Sequence, residues 1–213
     1  MAPESRVPAF AAALIAIAGQ TWVFRSLGFS PVWPFPAVSA VLLFASIAIY
    51  VSPWDEPSSL MRGLSAGLIG VLVIANAVSI VLLVRGVFLG TRLTALGLLG
   101  TGCVLWAVNV ALFALAYWEI DAGGPEDRAS SRDTLPDVVF PQQTADQATL
   151  APAEWAPAFA DYLYVSLTAS TAFSPTDAMP YTRTAKLLMA VESTISFAIV
   201  IMLVARAVNI AKG

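Results

Sequence analysis

Apolar residues gather in five long runs, at 8–24, 37–51, 63–84, 93–118 and 184–210, with polar connectors between them. Wound as helices, runs of about 17 to 25 apolar residues match the hydrocarbon core of a bilayer. Each run therefore predicts a spanning α-helix, the first two being short. Between the fourth and fifth lies a stretch of another kind. Residues 162–171 are bulky and helix-compatible, whereas Ser174, Pro175, Thr176 and Asp177 break a helix. A helix that stops half-way and returns through irregular backbone predicts a re-entrant loop. At membrane depth such backbone must be buried by protein or line a water-filled cavity. The expected fold is an all-α integral membrane protein, with five transmembrane helices and one re-entrant loop before the last.

The connectors refine this picture. Residues 25–36 hold Pro31, Pro34 and Pro36, and residues 52–62 are polar. Residues 119–157 form a long acidic loop rich in Pro, Gly, Ser and Gln, a composition that reads as disordered. Within it Val138, Val139, Phe140, Leu150 and Trp155 are apolar enough to cap something. Gly97, Gly100 and Ala107 in the fourth run predict a close helix–helix approach. The first run also competes as a signal peptide, because Arg6 precedes it and Ala16-Ile17-Ala18 resembles a cleavage site.

Composition supports the membrane class. Of 213 residues, 58% are hydrophobic and only 12% are charged, against roughly a quarter in soluble domains. Eleven Lys and Arg against fourteen Asp and Glu give a mildly acidic chain, which argues against a nucleic-acid partner. One cysteine, Cys103, and no histidine leave no Cys/His metal site and no histidine base. No Gly-x-Ser-x-Gly elbow or glycine-rich phosphate loop is present. No enzymatic activity, cofactor or metal is expected.

Charge placement predicts orientation. With the C-terminus cytoplasmic, the inner side holds Arg25, Arg85, Arg92, Arg206 and Lys212 and no carboxylate, as the positive-inside rule requires. Five spans then put the N-terminus outside, an arrangement that disfavours cleavage of the first run. Arg6 alone pulls the other way. The expected location is the bacterial cytoplasmic membrane.

Glu192 is the one ionisable residue in the middle of a run. An intramembrane carboxylate usually faces the protein interior and a partner. At 1.5 Å per residue, Glu192 lies about 12 Å below the start of its helix at Thr184 and Asn109 about 14 Å below Trp118. Asn76 lies roughly 18 Å below Leu64. Ser193 and Ser196 neighbour Glu192. Its expected partners are Asn109 or polar atoms at 168–171. Two roles stand open, a site that handles ions or protons and a hydrogen-bonded structural tie. Asp177 reads either as an acidic group at a pore mouth or as a turn residue pairing with Arg183. Thr171 reads as a pore-lining hydroxyl or as packing.

The stretch 162–180 resembles the pore helix and filter of tetrameric potassium channels. Tyr164, Ser166, Leu167, Thr171, Asp177 and Pro180 stand in matching places. The filter differs, because Ala172-Phe173-Ser174-Pro175-Thr176-Asp177 replaces Thr-Val-Gly-Tyr-Gly-Asp. Potassium filters coordinate with backbone carbonyls, and their glycines adopt angles closed to other residues. Ser174 and Thr176 replace both glycines and Pro175 fixes φ between them, so potassium selectivity is not expected. The whole chain is also similar to a bacterial membrane family of unknown function, of the thirteen-forty-five type, whose last helix closes in Ala-Val-Asn as Ala207-Val208-Asn209 does here.

The resemblance implies a two-part organisation. Residues 1–92 are an N-terminal three-helix region. Residues 93–213 are a pore-module-like region with an outer helix, a loop at 119–157, a re-entrant helix and loop at 158–180 and a last helix at 184–211. It implies a channel-like protein whose pore-loop residues run from Thr171 to Asp177, conducting a monovalent cation. Its partners would be the lipid bilayer and further copies of itself, four if a central pore exists. The competing expectation is a non-conducting structural or sensory protein with a partner-binding outer loop.

Overall fold

A computed structural model describes residues 4–52, 58–89, 93–130, 134–144, 155–174 and 177–211. The fold is all-helical with one two-residue β-ladder. Five long helices form the body: α1 (Val7–Ser26), α2 (Pro34–Tyr50), α3 (Ser58–Leu89), α4 (Ala95–Ile120) and, last in the chain, α7 (Arg183–Ala211). Between α4 and α7 come the short α5 (Pro125–Ser130), β1 (Val138–Val139), the 14-residue α6 (Phe159–Ala172) and β2 (Met179–Pro180). Four helices, α1, α3, α4 and α7, are long and apolar enough to cross a membrane, while α2 has 17 residues and is shorter.

Helix α4 is the central element. It packs against α1, α3, α6 and α7, and 67% of its most apolar window is buried, against 22% for α7. Small residues make this possible. Ala9, Ala12, Ala13 and Ala16 form one buried face of α1, and Gly19 continues it. A Cβ added at Gly19 would sit 2.5 Å from Val108, and one at Gly102 would sit 2.3 Å from Leu203. The close approaches therefore use Gly19 and Gly102. Gly100 meets open space and Gly97 meets only its own turn, where its N–H donates to the capping Thr94 hydroxyl at 3.1 Å.

One end of the helix bundle is sealed by a polar cap. Asp121, only 1% exposed, accepts from the backbone N–H groups of Asp137 (2.7 Å) and Val138 (3.0 Å) and from the Tyr162 hydroxyl (2.6 Å). Burial raises the pKa of that phenol, which keeps it protonated and a donor. Glu4 accepts from the Trp118 indole and from the N–H of Phe159 at the start of α6, and pairs with Arg128. Arg128 also donates to the carbonyls of Trp118 and Asp121. Arg6, 4% exposed, pairs with Glu126 and lies over the Trp118 ring. Its charge is paired inside the cap. Helix α3 begins earlier than its apolar run, and Arg62 near its start pairs with Asp127 of this cap.

The loop at 119–157 is thus structured over much of its described length. Val138 is fully buried, and the Phe140 ring meets Trp155 and Tyr162 edge-on. Strand β1 pairs antiparallel with β2, Val139 opposite Met179 and Val138 opposite Pro180. Leu150 lies outside the described residues.

Candidate functional site

Helix α6 starts in the cap and runs inward between α4 and α7. Its first free N–H groups have partners, since Ala158 N donates to Asp161 and Phe159 N to Glu4, both at 2.7 Å. Its inner end is marked by Phe173, whose φ of 57° is left-handed, and whose ring meets Phe197 edge-on at 5.1 Å. Phe197 lies fourteen residues into α7, about 21 Å along the helix at 1.5 Å per residue. Met179 is back beside β1.

One face of α6 carries Tyr162, Val165, Ser166, Ala169 and Ser170 into the interior. There Glu192, fully buried, receives three hydroxyls from two other helices. Tyr117 of α4 donates to Oε2 at 2.5 Å and Ser170 donates to Oε1 at 3.0 Å, while Ser166 hydrogen-bonds to Oε1 at very short range. Ser166 also lies 2.8 Å from the Val110 carbonyl oxygen. A serine has one proton, so Ser166 serves one of these acceptors at a time.

No family model, curated protein or solved structure matches this chain. What the site can do must be read from its own atoms.

A polar chain extends from Glu192 across the bundle. Asn76 Nδ2 donates to Asn109 Oδ1 (2.8 Å), Asn109 Nδ2 to Ser196 Oγ (3.1 Å), and Ser196 to Ser170 Oγ (2.9 Å). Ser170 then donates to Glu192. Four helices, α3, α4, α6 and α7, are joined by one directional sequence of hydrogen bonds. The carboxylate is its natural end, because an ionised carboxylate only accepts. At the other end Asn76 Oδ1 is buried and has no partner among the described residues. Turning both amides over would reverse the sequence. Glu192 would then hold a proton and donate to Ser170, and the unpaired atom at Asn76 would become the amide nitrogen.

The four intramembrane polar residues singled out from sequence, Glu192, Asn109, Asn76 and Ser196, thus lie in one network. Of the partners expected for Glu192, the 168–171 segment supplies one directly, Ser170, whereas Asn109 is not a direct partner and Tyr117 and Ser166 lie outside that expectation. Asn109 is reached only through Ser196 and Ser170. Thr168 and Thr171 turn their hydroxyls back to carbonyls of their own helix and do not contact Glu192. Successive helical residues differ by about 100° in direction, so Ser170 and Thr171 face different surroundings.

The pore-loop candidates sit apart from this network. Thr171, Ala172, Phe173, Ser174 and Asp177 are exposed, and Pro175 and Thr176 lie outside the described residues. Continuing upward, Tyr164 is 52% and Leu167 41% exposed, which gives α6 an open apolar stripe. Among the described residues no group of His, Cys, Asp or Glu is arranged to hold a metal ion.

Proposed function

We propose that this chain is a channel-like bacterial membrane protein with five transmembrane helices, an outer N-terminus and a cytoplasmic C-terminus, in which α6 and the segment after it form a re-entrant loop. The observation that supports this most is the placement of the described residues 159–174 and 177–180. Helix α6 leaves the cap, ends beside Phe197, and the chain returns within six residues to pair with β1 near where it began. At 14 residues α6 is about 21 Å long and too short to span.

Exposed irregular backbone at such depth cannot face lipid. Further copies of the chain, packed cyclically against Tyr164, Leu167 and the loop tip, would cover it, four being the simplest number for a central pore. The loop from Thr171 to Asp177 would then line that pore and pass monovalent cations without selecting potassium, since both filter glycines are absent. Glu192 acts in this reading as the tie that holds α6 against α4 and α7. The contact of Phe173 with Phe197 favours a second reading, a plugged and non-conducting structural or sensory protein.

Sodium and potassium flux into liposomes holding the purified protein distinguishes the two. Comparable flux of both ions is expected; potassium flux that excludes sodium would overturn the filter argument, and no flux at all would favour the plugged form. A monomeric native mass in detergent would overturn the central pore. Single cysteines at Thr144 and Arg183, in a Cys103→Ser background, should both react with an impermeant thiol reagent from outside. Labelling from opposite sides would remove the re-entrant loop.

A further inference from the structure

The end of the bundle opposite the cap carries a feature independent of the α6 reading. Arg25, in the last turn of α1, and Arg85, near the end of α3, line one open cleft of about 910 Å³. Arg25 lies nineteen residues beyond the capped Arg6, about 28 Å along α1, and Arg85 twenty-three beyond Arg62, about 35 Å along α3. Both guanidiniums therefore sit one hydrocarbon thickness, about 30 Å, from the cap. Both are exposed, and neither has a hydrogen-bond or ion-pair partner among the described residues.

The sequence explains why. No Asp or Glu occurs between Glu4 and Asp55, between Glu56 and Glu119, or after Glu192. The inner halves of the helices thus contain no carboxylate that could pair with either arginine. The cleft adds two hydroxyls, Ser26 and Ser30, and an apolar wall that includes Phe29 and Leu89. Neither hydroxyl has a partner among the described residues. Arginine offers a planar fork of donors that matches phosphate oxygens in pairs. Two forks, two hydroxyls and an apolar wall at the depth of the inner headgroups fit a phosphodiester attached to acyl chains.

We propose that the cleft between Arg25 and Arg85 is a binding site for the phosphate of an anionic phospholipid of the inner leaflet. The phosphate accepts from both guanidiniums and the serines, and the first acyl segments lie on the apolar wall. Basic pockets between helices on the cytoplasmic side are a recurrent form of lipid recognition.

The test uses the full chain in neutral detergent, titrated with phosphatidylglycerol, phosphatidylcholine of the same acyl chains, or inorganic phosphate. Thermal unfolding and the phospholipid retained in native mass spectra are the readouts. Phosphatidylglycerol should raise the unfolding temperature above phosphatidylcholine and be retained on the protein. Arg25→Gln/Arg85→Gln should bind it at least about tenfold more weakly, the scale of one lost charge-assisted hydrogen bond. Arg25→Lys/Arg85→Lys keeps the charge and loses the forks, so it should also bind several-fold more weakly. Full binding by the lysine variant would reduce the effect to general surface charge and overturn a built site. An equal response to inorganic phosphate would overturn the lipid assignment, and an unchanged response in the glutamine variant would overturn the site. Either single glutamine variant serves if the double does not fold, with the same criteria.

Discussion

The Tyr117 phenol donates to Glu192 Oε2 at 2.5 Å, tying α4 to α7 in the interior. Ser166 and Ser170 bring α6 to the same carboxylate. Glu192→Leu would leave all three hydroxyls without this acceptor. An unsatisfied buried group costs roughly 1–3 kcal/mol, so Leu should lower stability by at least that amount. Glu192→Gln keeps an oxygen for Tyr117, and its amide can donate to Ser166 and Ser170 while Ser166 turns to the Val110 carbonyl. Gln should therefore unfold much closer to wild type. Equal stability of the Leu variant in thermal unfolding would remove Glu192 from any structural role. Flux lost in Gln with stability kept would instead assign it to ion or proton handling.

The sequence of donors from Asn76 to Glu192 predicts coupling between sites that do not touch. Ser170→Ala and Asn109→Ala each break a link, and both are bonded to Ser196. Their effects on unfolding should be non-additive by about 0.5–3 kcal/mol. Additive effects would mean that the links act separately.

Phe173 holds a left-handed backbone at the tip of α6, and its ring rests on Phe197. For a residue with a Cβ this conformation costs about 1–2 kcal/mol. Both Phe173→Ala and Phe173→Gly lose the ring contact, but only Gly relieves the backbone. Phe173→Gly should be the more stable of the two by about 1 kcal/mol. The reverse order in chemical unfolding would show that the left-handed tip is not kept in the variants.

Asp121 holds the cap together through two backbone N–H groups and the Tyr162 hydroxyl. Asp121→Ala should release β1 from α4 and loosen the bonds by which Arg128 grips the end of α4. Trypsin should then cut after Arg128 faster than in wild type, with a stability loss on the order of 1–3 kcal/mol per donor left buried. Unchanged proteolysis would assign the cap to its apolar contacts, such as Phe140 on Tyr162.

The sequence by itself determined the helical class and which helices are long and apolar enough to cross a membrane. Run length follows bilayer thickness, and α3, α4 and α7 are legible as apolar stretches without reference to any neighbour. It also marked Glu192, because a lone carboxylate in such a run requires an interior partner. It pointed to the segment 168–171, where Ser170 is a direct partner, but not to Tyr117 or Ser166. Tyr117, Ser166 and Ser170 are ordinary residues in their helices, and their convergence depends on how three helices are rotated about their own axes. A single position, Ser170 rather than Thr171, decides which hydroxyl reaches the carboxylate. The cap was hidden for a related reason. Glu4 and Arg6 meet Trp118, Glu126 and Arg128 across more than a hundred residues, and only tertiary packing brings such groups together out of water. Local pattern sets how a segment folds, whereas the pairing of buried charges and hydroxyls is decided where separate segments desolvate one another.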